Sequence, residues 1–124
     1  MDEDKYYELI DIYKNPEHSG KLQDFDVSEE GYSTSCGDTF NVYLKMENGT
    51  IKEASFEGNG CIISTVSISK LCSEVVGKSS DKVNSMGLED VKRIIGIDHI
   101  SASRVGCALV GLETIKKALA KYKL

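Results

Sequence analysis

Residues 40–56, FNVYLKMENGTIKEASF, decide the fold. Apolar residues alternate as Phe40, Val42, Leu44 and Met46, and after Asn48-Gly49 the alternation resumes at Ala54 and Phe56. A period of two marks a strand buried on one face, and Asn-Gly between two such runs is a hairpin signal. Two registers compete. A two-residue type I′ turn at Asn48-Gly49 pairs Met46 with Ile51 but sets Leu44 opposite Glu53, which mixes the faces. A three-residue loop over 48–50, with a bulge at Gly49, sets Leu44 opposite Ala54 and Val42 opposite Phe56. The second makes one continuous apolar face and is the register expected.

Toward the C-terminus, GNGCIISTVSISKLCSEVVGK predicts a helix over about 61–76, closed by Gly77, with an apolar stripe of Thr65, Ile68, Leu71, Cys72 and Val75. Short helical pieces follow near 80–85 and 88–95. A last helix starts at about Ser101 or Ser103 and runs to Tyr122, with Val105, Ala108, Leu109, Leu112, Ile115, Leu119 and Tyr122 on one stripe. Toward the N-terminus, Tyr6, Leu9, Ile10 and Tyr13 predict an amphipathic helix over 2–14 that Asn15-Pro16 stops. The polar stretch 17–35 has room for a short strand. The outline is α+β: a small antiparallel sheet of about three strands covered by helices, with a long C-terminal helix. At 124 residues the expectation is a single domain over 1–124.

Fifteen basic against twenty acidic side chains give a net charge of −5, which argues against a broad basic surface for nucleic acid or anionic lipid. No apolar run approaches the roughly 18 residues of a membrane helix, and MDEDKYYELI lacks the features of a signal peptide. The expectation is a soluble, cytoplasmic protein whose partners are proteins or small ions. In a reducing compartment its four cysteines read as thiols, ligands or nucleophiles before they read as disulfides.

The four differ in setting. Cys72 lies on an apolar stripe and reads as a small buried hydrophobe. It is also about 16 Å along the helix from Cys61, too far to share an ion. Cys107 sits roughly 150° from the centre of the last helix's apolar stripe, beside Ser103, Thr114 and Lys121, and so reads as an accessible thiol on a polar face. An accessible cysteine suggests reaction or binding. Cys61 opens its helix, where free N–H groups and the positive dipole end favour a thiolate, although glycine-lined packing would also suit it. Cys36 and Asp38 are two potential ligands from one loop, projecting from the same side if that segment is extended. Asp38 is equally readable as a turn residue at the start of a strand. The intervals between Cys36, Cys61 and Cys107 are far longer than those of a zinc ribbon, so a shared site has to be assembled from three separate elements.

Taken together, CGD, GNGCIISTVSIS and RVGCALVGLETIKKAL resemble the three signature segments of the U-type iron–sulfur scaffold family, which includes IscU, SufU and the N-terminal part of NifU. YYELIDIYKNPEHSGKL is similar to that family's opening helix and NP…G turn, and the likeness runs from about Tyr6 to Tyr122 in the right order. The resemblance implies a scaffold, not an enzyme. On it a transient 2Fe–2S cluster is built from iron and from sulfur supplied by a cysteine desulfurase, then passed to apo iron–sulfur acceptor proteins. It leaves room for an iron donor and a homo-oligomer.

By the same resemblance Cys36, Asp38, Cys61 and Cys107 are the cluster and metal ligands. Soft thiolates hold iron and sulfide well, and a harder carboxylate holds them weakly, which suits a protein that must release its product. Two departures stand out. Gly106 takes the place of the histidine that IscU members, and the lysine that many SufU members, carry before the third cysteine, so the fourth ligand is Asp38, water or an external thiol, or a group from a second subunit. HISASRVGC stands where IscU has the proline-and-lysine stretch read by its chaperone. SRVGCA is closer to the SufU pattern, yet the SufU insertion is absent. An alternative therefore accompanies the scaffold reading: a zinc-bound sulfurtransferase, with the same four residues closing a tetrahedron. His99 and His18 are not expected in the site.

Overall fold

The structure, a computed structural model, describes residues 3–33 and 37–123. In chain order these form α1 (Glu3–Lys14), β1 (Val27–Ser33), β2 (Asp38–Glu47), β3 (Thr50–Asn59), α2 (Ile62–Val75), α3 (Ser80–Asn84), α4 (Leu88–Ile95), a 3-10 turn at Ala102–Arg104 and α5 (Val105–Lys123). The strands make an antiparallel meander in the order β1-β2-β3. This is the α+β outline expected, and each expected helix is present with its ends moved by two residues at most, except that the last begins at Val105, after the 3-10 turn, where about Ser101 or Ser103 was expected.

The central hairpin combines the two registers that competed in the sequence. Asn48 and Gly49 both take positive φ, 53° and 79°, and the pairs nearest the turn are Glu47–Thr50 and Met46–Ile51. The connection is thus the two-residue turn that Asn-Gly favours. Farther in, Leu44 faces Ala54 and Val42 faces Phe56, with the irregularity opposite Lys45 and Met46. The bulge expected at Gly49 therefore lies at Lys52. Turn chemistry sets one register and the apolar face sets the other, and one extra residue in β3 reconciles them.

Phe40, Val42, Leu44, Ala54 and Phe56 line the inner face, with Phe40 and Phe56 edge to face at 5.9 Å. Helices α2 and α5 cover it. Helix α2 is buried almost all round, Ser64 and Ser67 included. Its small residues let α5 come close: Ser67 Oγ donates to Ala108 O at 2.8 Å, and a Cβ on Gly111 would stand 2.9 Å from Ile68 Cβ. Val83, Met86, Val91 and Ile95 close the far end of the core. Helix α1 docks through Leu9, whereas Tyr6 and Tyr13, expected on its apolar stripe, are 48% and 40% exposed.

Helix α5 corrects a further expectation. Cys107, read as accessible, is 0% exposed, and Thr114 on the same side is 1% exposed. The helix is wedged between α2 and β1, so its buried arc is roughly 200° wide. Gly111 and Ala118 sit near the centre of that arc. They carry little hydrophobic signal, so the visible apolar stripe marks only one flank. The other flank follows β1: Thr114 lies over Gly31, where a Cβ would stand 1.8 Å from its Oγ1, and Lys121 Nζ reaches Ser28 O at 3.2 Å. No helix among the described residues is long and apolar enough to cross a membrane.

Candidate metal centre

Three chain segments meet at one end of the sheet. The first is the start of β2, where Asp38 pairs with Ser33 to close the β1–β2 hairpin. Gly37 precedes it at φ 70°, its N–H donating to Ser33 O at 2.9 Å. The residue between Cys36 and Asp38 is thus in a left-handed turn, not the extended segment assumed for projecting both to one side. Cys36 itself lies outside the described residues.

The second segment is the N-terminus of α2. Strand β3 ends opposite Thr39, and Gly60 turns the chain so that Cys61 lies back over Asp38. Asp38 Oδ1 accepts the Cys61 N–H at 2.9 Å, and Oδ2 lies 4.0 Å from Cys61 Sγ. The aspartate is therefore both the first residue of a strand and part of the cluster. Placing its charge at a helix N-terminus is favourable. A side chain at Gly60 would not fit: a Cβ there would stand 2.3 Å from Ser64 Oγ, 2.7 Å from Phe40 Cζ and 3.0 Å from Asp38 Oδ1.

The third segment is the first turn of α5, entered through the 3-10 turn, which brings in Cys107. Asp38, Cys61 and Cys107 each offer a ligand atom, and the three atoms lie within 4.8 Å of one another. A tetrahedral ion with bonds of about 2.0–2.3 Å needs its ligand atoms roughly 3.3–3.8 Å apart, so shifts of about 1 Å would close the set. Asp38 is 2% exposed, and among the described residues no basic side chain pairs with it. A buried carboxylate is costly unless a positive charge compensates it, so the donor set fits a cation.

Asp38 and Cys107 are buried and Cys61 is half-buried. Beside Cys61 opens a cavity of about 480 Å³ lined by Tyr6, Leu9, Tyr13, Ile62, Ile63 and Arg104. A larger cleft, about 620 Å³ and lined in part by Asp11, Lys70, Glu74 and Arg93, does not touch the cluster. Cys72 is apart from it as expected: it is 0% exposed, and burial pushes its thiol up from an ordinary 9.0 to about 12. His99 and His18 are exposed and outside the group, and Gly106 is exposed. Sequence reasoning missed Ser64, whose Oγ lies 3.6 Å from Cys61 Sγ, and the close approach at Gly60. A helical spacing of three from Cys61 was the available signal for Ser64.

A three-stranded meander thus brings two helix N-termini together on an Asp–Cys–Cys group. The chain belongs to the family of the NifU-like N terminal domain, whose family model matches residues 5–124. Among its curated relatives is the iron-sulfur cluster assembly scaffold protein IscU of Thermotoga maritima, 33% identical over 91% of this chain and 90% of that protein. Another is the zinc-dependent sulfurtransferase SufU of Bacillus subtilis, 29% identical over 91% of this chain and 87% of that protein. The N-terminal NifU-like protein of Brucella abortus superposes with a TM-score of 0.80 at 20% identity, covering 97% of this chain and 96% of that one. FiSufU of Fervidobacterium islandicum gives 0.75 at 24% identity over 90% and 93%. These two structures speak to the fold, which is the one expected.

Proposed function

We propose that this protein is an iron–sulfur assembly scaffold that receives iron, and sulfur from a cysteine desulfurase, holds the nascent 2Fe–2S cluster, and hands it to apo-proteins. The observation that carries the reading is the convergence of Asp38, Cys61 and Cys107, of which Cys61 opens on a cavity. The likeness to the Thermotoga IscU supports it. Two sulfurs supply soft ligands, and Cys36, by its motif, a third. Asp38 supplies an oxygen that can leave a metal more readily than sulfur does. The cavity beside half-buried Cys61 gives the sulfur-bearing segment of a donor a place to approach. A reducing, cytoplasmic setting suits such a site.

The likeness to the Bacillus SufU supports a second reading, a zinc-dependent sulfurtransferase with zinc on the same residues. Gly106 offers no side-chain ligand of its own, which leaves Asp38 in the set. In that reading a cysteine sulfur of the site, Cys61 being the half-exposed one, attacks the outer sulfur of a donor persulfide. The donor's S–S bond breaks, its cysteine leaves as thiolate, and the acceptor cysteine becomes the persulfide.

Anaerobic purification followed by iron, zinc and acid-labile sulfide analysis separates the two. The scaffold reading expects a coloured protein with iron and sulfide in equal amounts after incubation with a desulfurase, cysteine, ferrous iron and a thiol reductant that brings the persulfide-level sulfur to sulfide, and transfer of that cluster to apo-ferredoxin. A colourless protein that keeps zinc throughout and still accelerates the desulfurase would establish the second reading instead.

A further inference from the structure

Ser64 lies in the first turn of α2, 0% exposed, with Oγ 3.2 Å from Cys61 O and 3.6 Å from Cys61 Sγ. A hydroxyl has one proton and two lone pairs. With Cys61 as a thiol, Ser64 gives its proton to the Cys61 carbonyl and can accept the S–H. A metal-bound cysteine has no S–H to offer, because its ligating form is the thiolate. The carbonyl does not depend on Ser64, since Thr65 N–H reaches it at 3.0 Å. Rotation about a single bond therefore moves the proton from an oxygen already satisfied to a sulfur that has gained negative charge. Charge-assisted hydrogen bonds of this kind are the stronger ones. The surroundings confine the hydroxyl to that choice: it is shut off from water, and Gly60 lacks the Cβ that would displace it.

We propose that Ser64 is a positioning residue of the centre, whose hydroxyl turns from the Cys61 carbonyl to the Cys61 sulfur when a metal or cluster binds. There it fixes the sulfur's orientation and draws charge from it. The inference rests on the metal-binding reading above and adds a group that does not itself touch the metal. Partners of this kind commonly alter metal affinity by about 10-fold or more.

The test uses cobalt(II) alone, bound anaerobically to the full chain and titrated against a chelating dye. Ser64→Ala should bind about 10-fold more weakly than wild type. Its sulfur-to-cobalt charge-transfer absorption should also move to longer wavelength, because an unbonded thiolate is the better electron donor. Ser67→Ala is the control: its hydroxyl serves Ala108 O, so it should lose stability while leaving the band in place. A second measurement needs no substitution, since the wild-type cobalt–sulfur stretching frequency should shift between H2O and D2O. Wild-type affinity and band position in Ser64→Ala, an equal band shift in Ser67→Ala, or no solvent-isotope shift would each overturn the inference while leaving metal binding intact. A wild-type chain that binds no cobalt or zinc would overturn the metal-binding reading, and the inference with it.

Discussion

Asp38 carries two duties that a single substitution would confuse. Oδ1 holds the Cys61 N–H at 2.9 Å, and Oδ2 faces the Cys61 sulfur. Asp38→Ala should lower folding stability by about 1–2 kcal/mol, as loss of a partner for a helix-start N–H does, and should weaken metal binding too. Asp38→Asn separates the duties: its carbonyl can still accept from Cys61, while its amide is a poor ligand. Thermal melting close to wild type with a clear loss of zinc affinity is the expected outcome for Asn. Retained affinity would confine Asp38 to the fold. Cys72 gives the other prediction at this scale. The unfolded chain gives up its thiol proton near 9.0 and the folded one only at about 12, so stability present below pH 9 is lost as pH rises through that window. The slope is at most about 1.4 kcal/mol per pH unit. Tyr43, whose hydroxyl is held protonated by its hydrogen bond to Glu57, acts in the same direction. In Cys72→Ala, chemical denaturation from pH 8 to 11 should show a shallower alkaline decline; an unchanged decline would assign it to other groups.

At the scale of elements, the hairpin and α5 show where pattern reading succeeds and where it stops. Each competing hairpin register rested on one signal, and the strand satisfies both by bulging at Lys52. The buried arc of α5 was half legible, because Leu112, Ile115 and Leu119 announce themselves while Gly111, Thr114 and Cys107 do not. The contact between Gly31 and Thr114 sets how closely α5 approaches β1. Gly31→Ala should therefore cost about 1–3 kcal/mol through overpacking. Because α5 carries Cys107, zinc affinity should fall with it. Thr114→Ala in the same chain should recover part of both losses, giving a non-additive double-mutant cycle. Additive effects would show that the two positions do not sense each other.

For the whole molecule, the ligand candidates come from β2, α2 and α5, so an ion bound among them ties the sheet to both covering helices. Binding to the folded state alone stabilises it, by about 2.7 kcal/mol when free ligand is 100 times the dissociation constant. Zinc should raise the melting temperature by several degrees and a chelator should reverse the rise. Serine substitution at Cys36, Cys61 or Cys107 should abolish the zinc-dependent increment, whereas Cys72→Ser should lower the starting temperature and keep the increment. A Cys72→Ser chain that folds but no longer responds to zinc would refute this assignment of the cysteines.

By itself the sequence determined what is carried within a dozen residues: the alternation of β2, the Asn-Gly turn, the helix boundaries, the burial of Cys72 and the three motifs that mark the family. The first four follow from local backbone preference and from the period of apolar side chains, and the motifs from resemblance to the family alone. Only the tertiary structure decided where the bulge falls, that Cys107 is interior, that Asp38 is anchored on the backbone of Cys61, and that Ser64 faces the same sulfur. The last three turn on small residues, Gly31, Gly60, Gly111 and Ser64, which have almost no hydrophobic signal in the sequence. Their effect is to let segments approach one another, and that closeness exists only once the sheet and helices have packed.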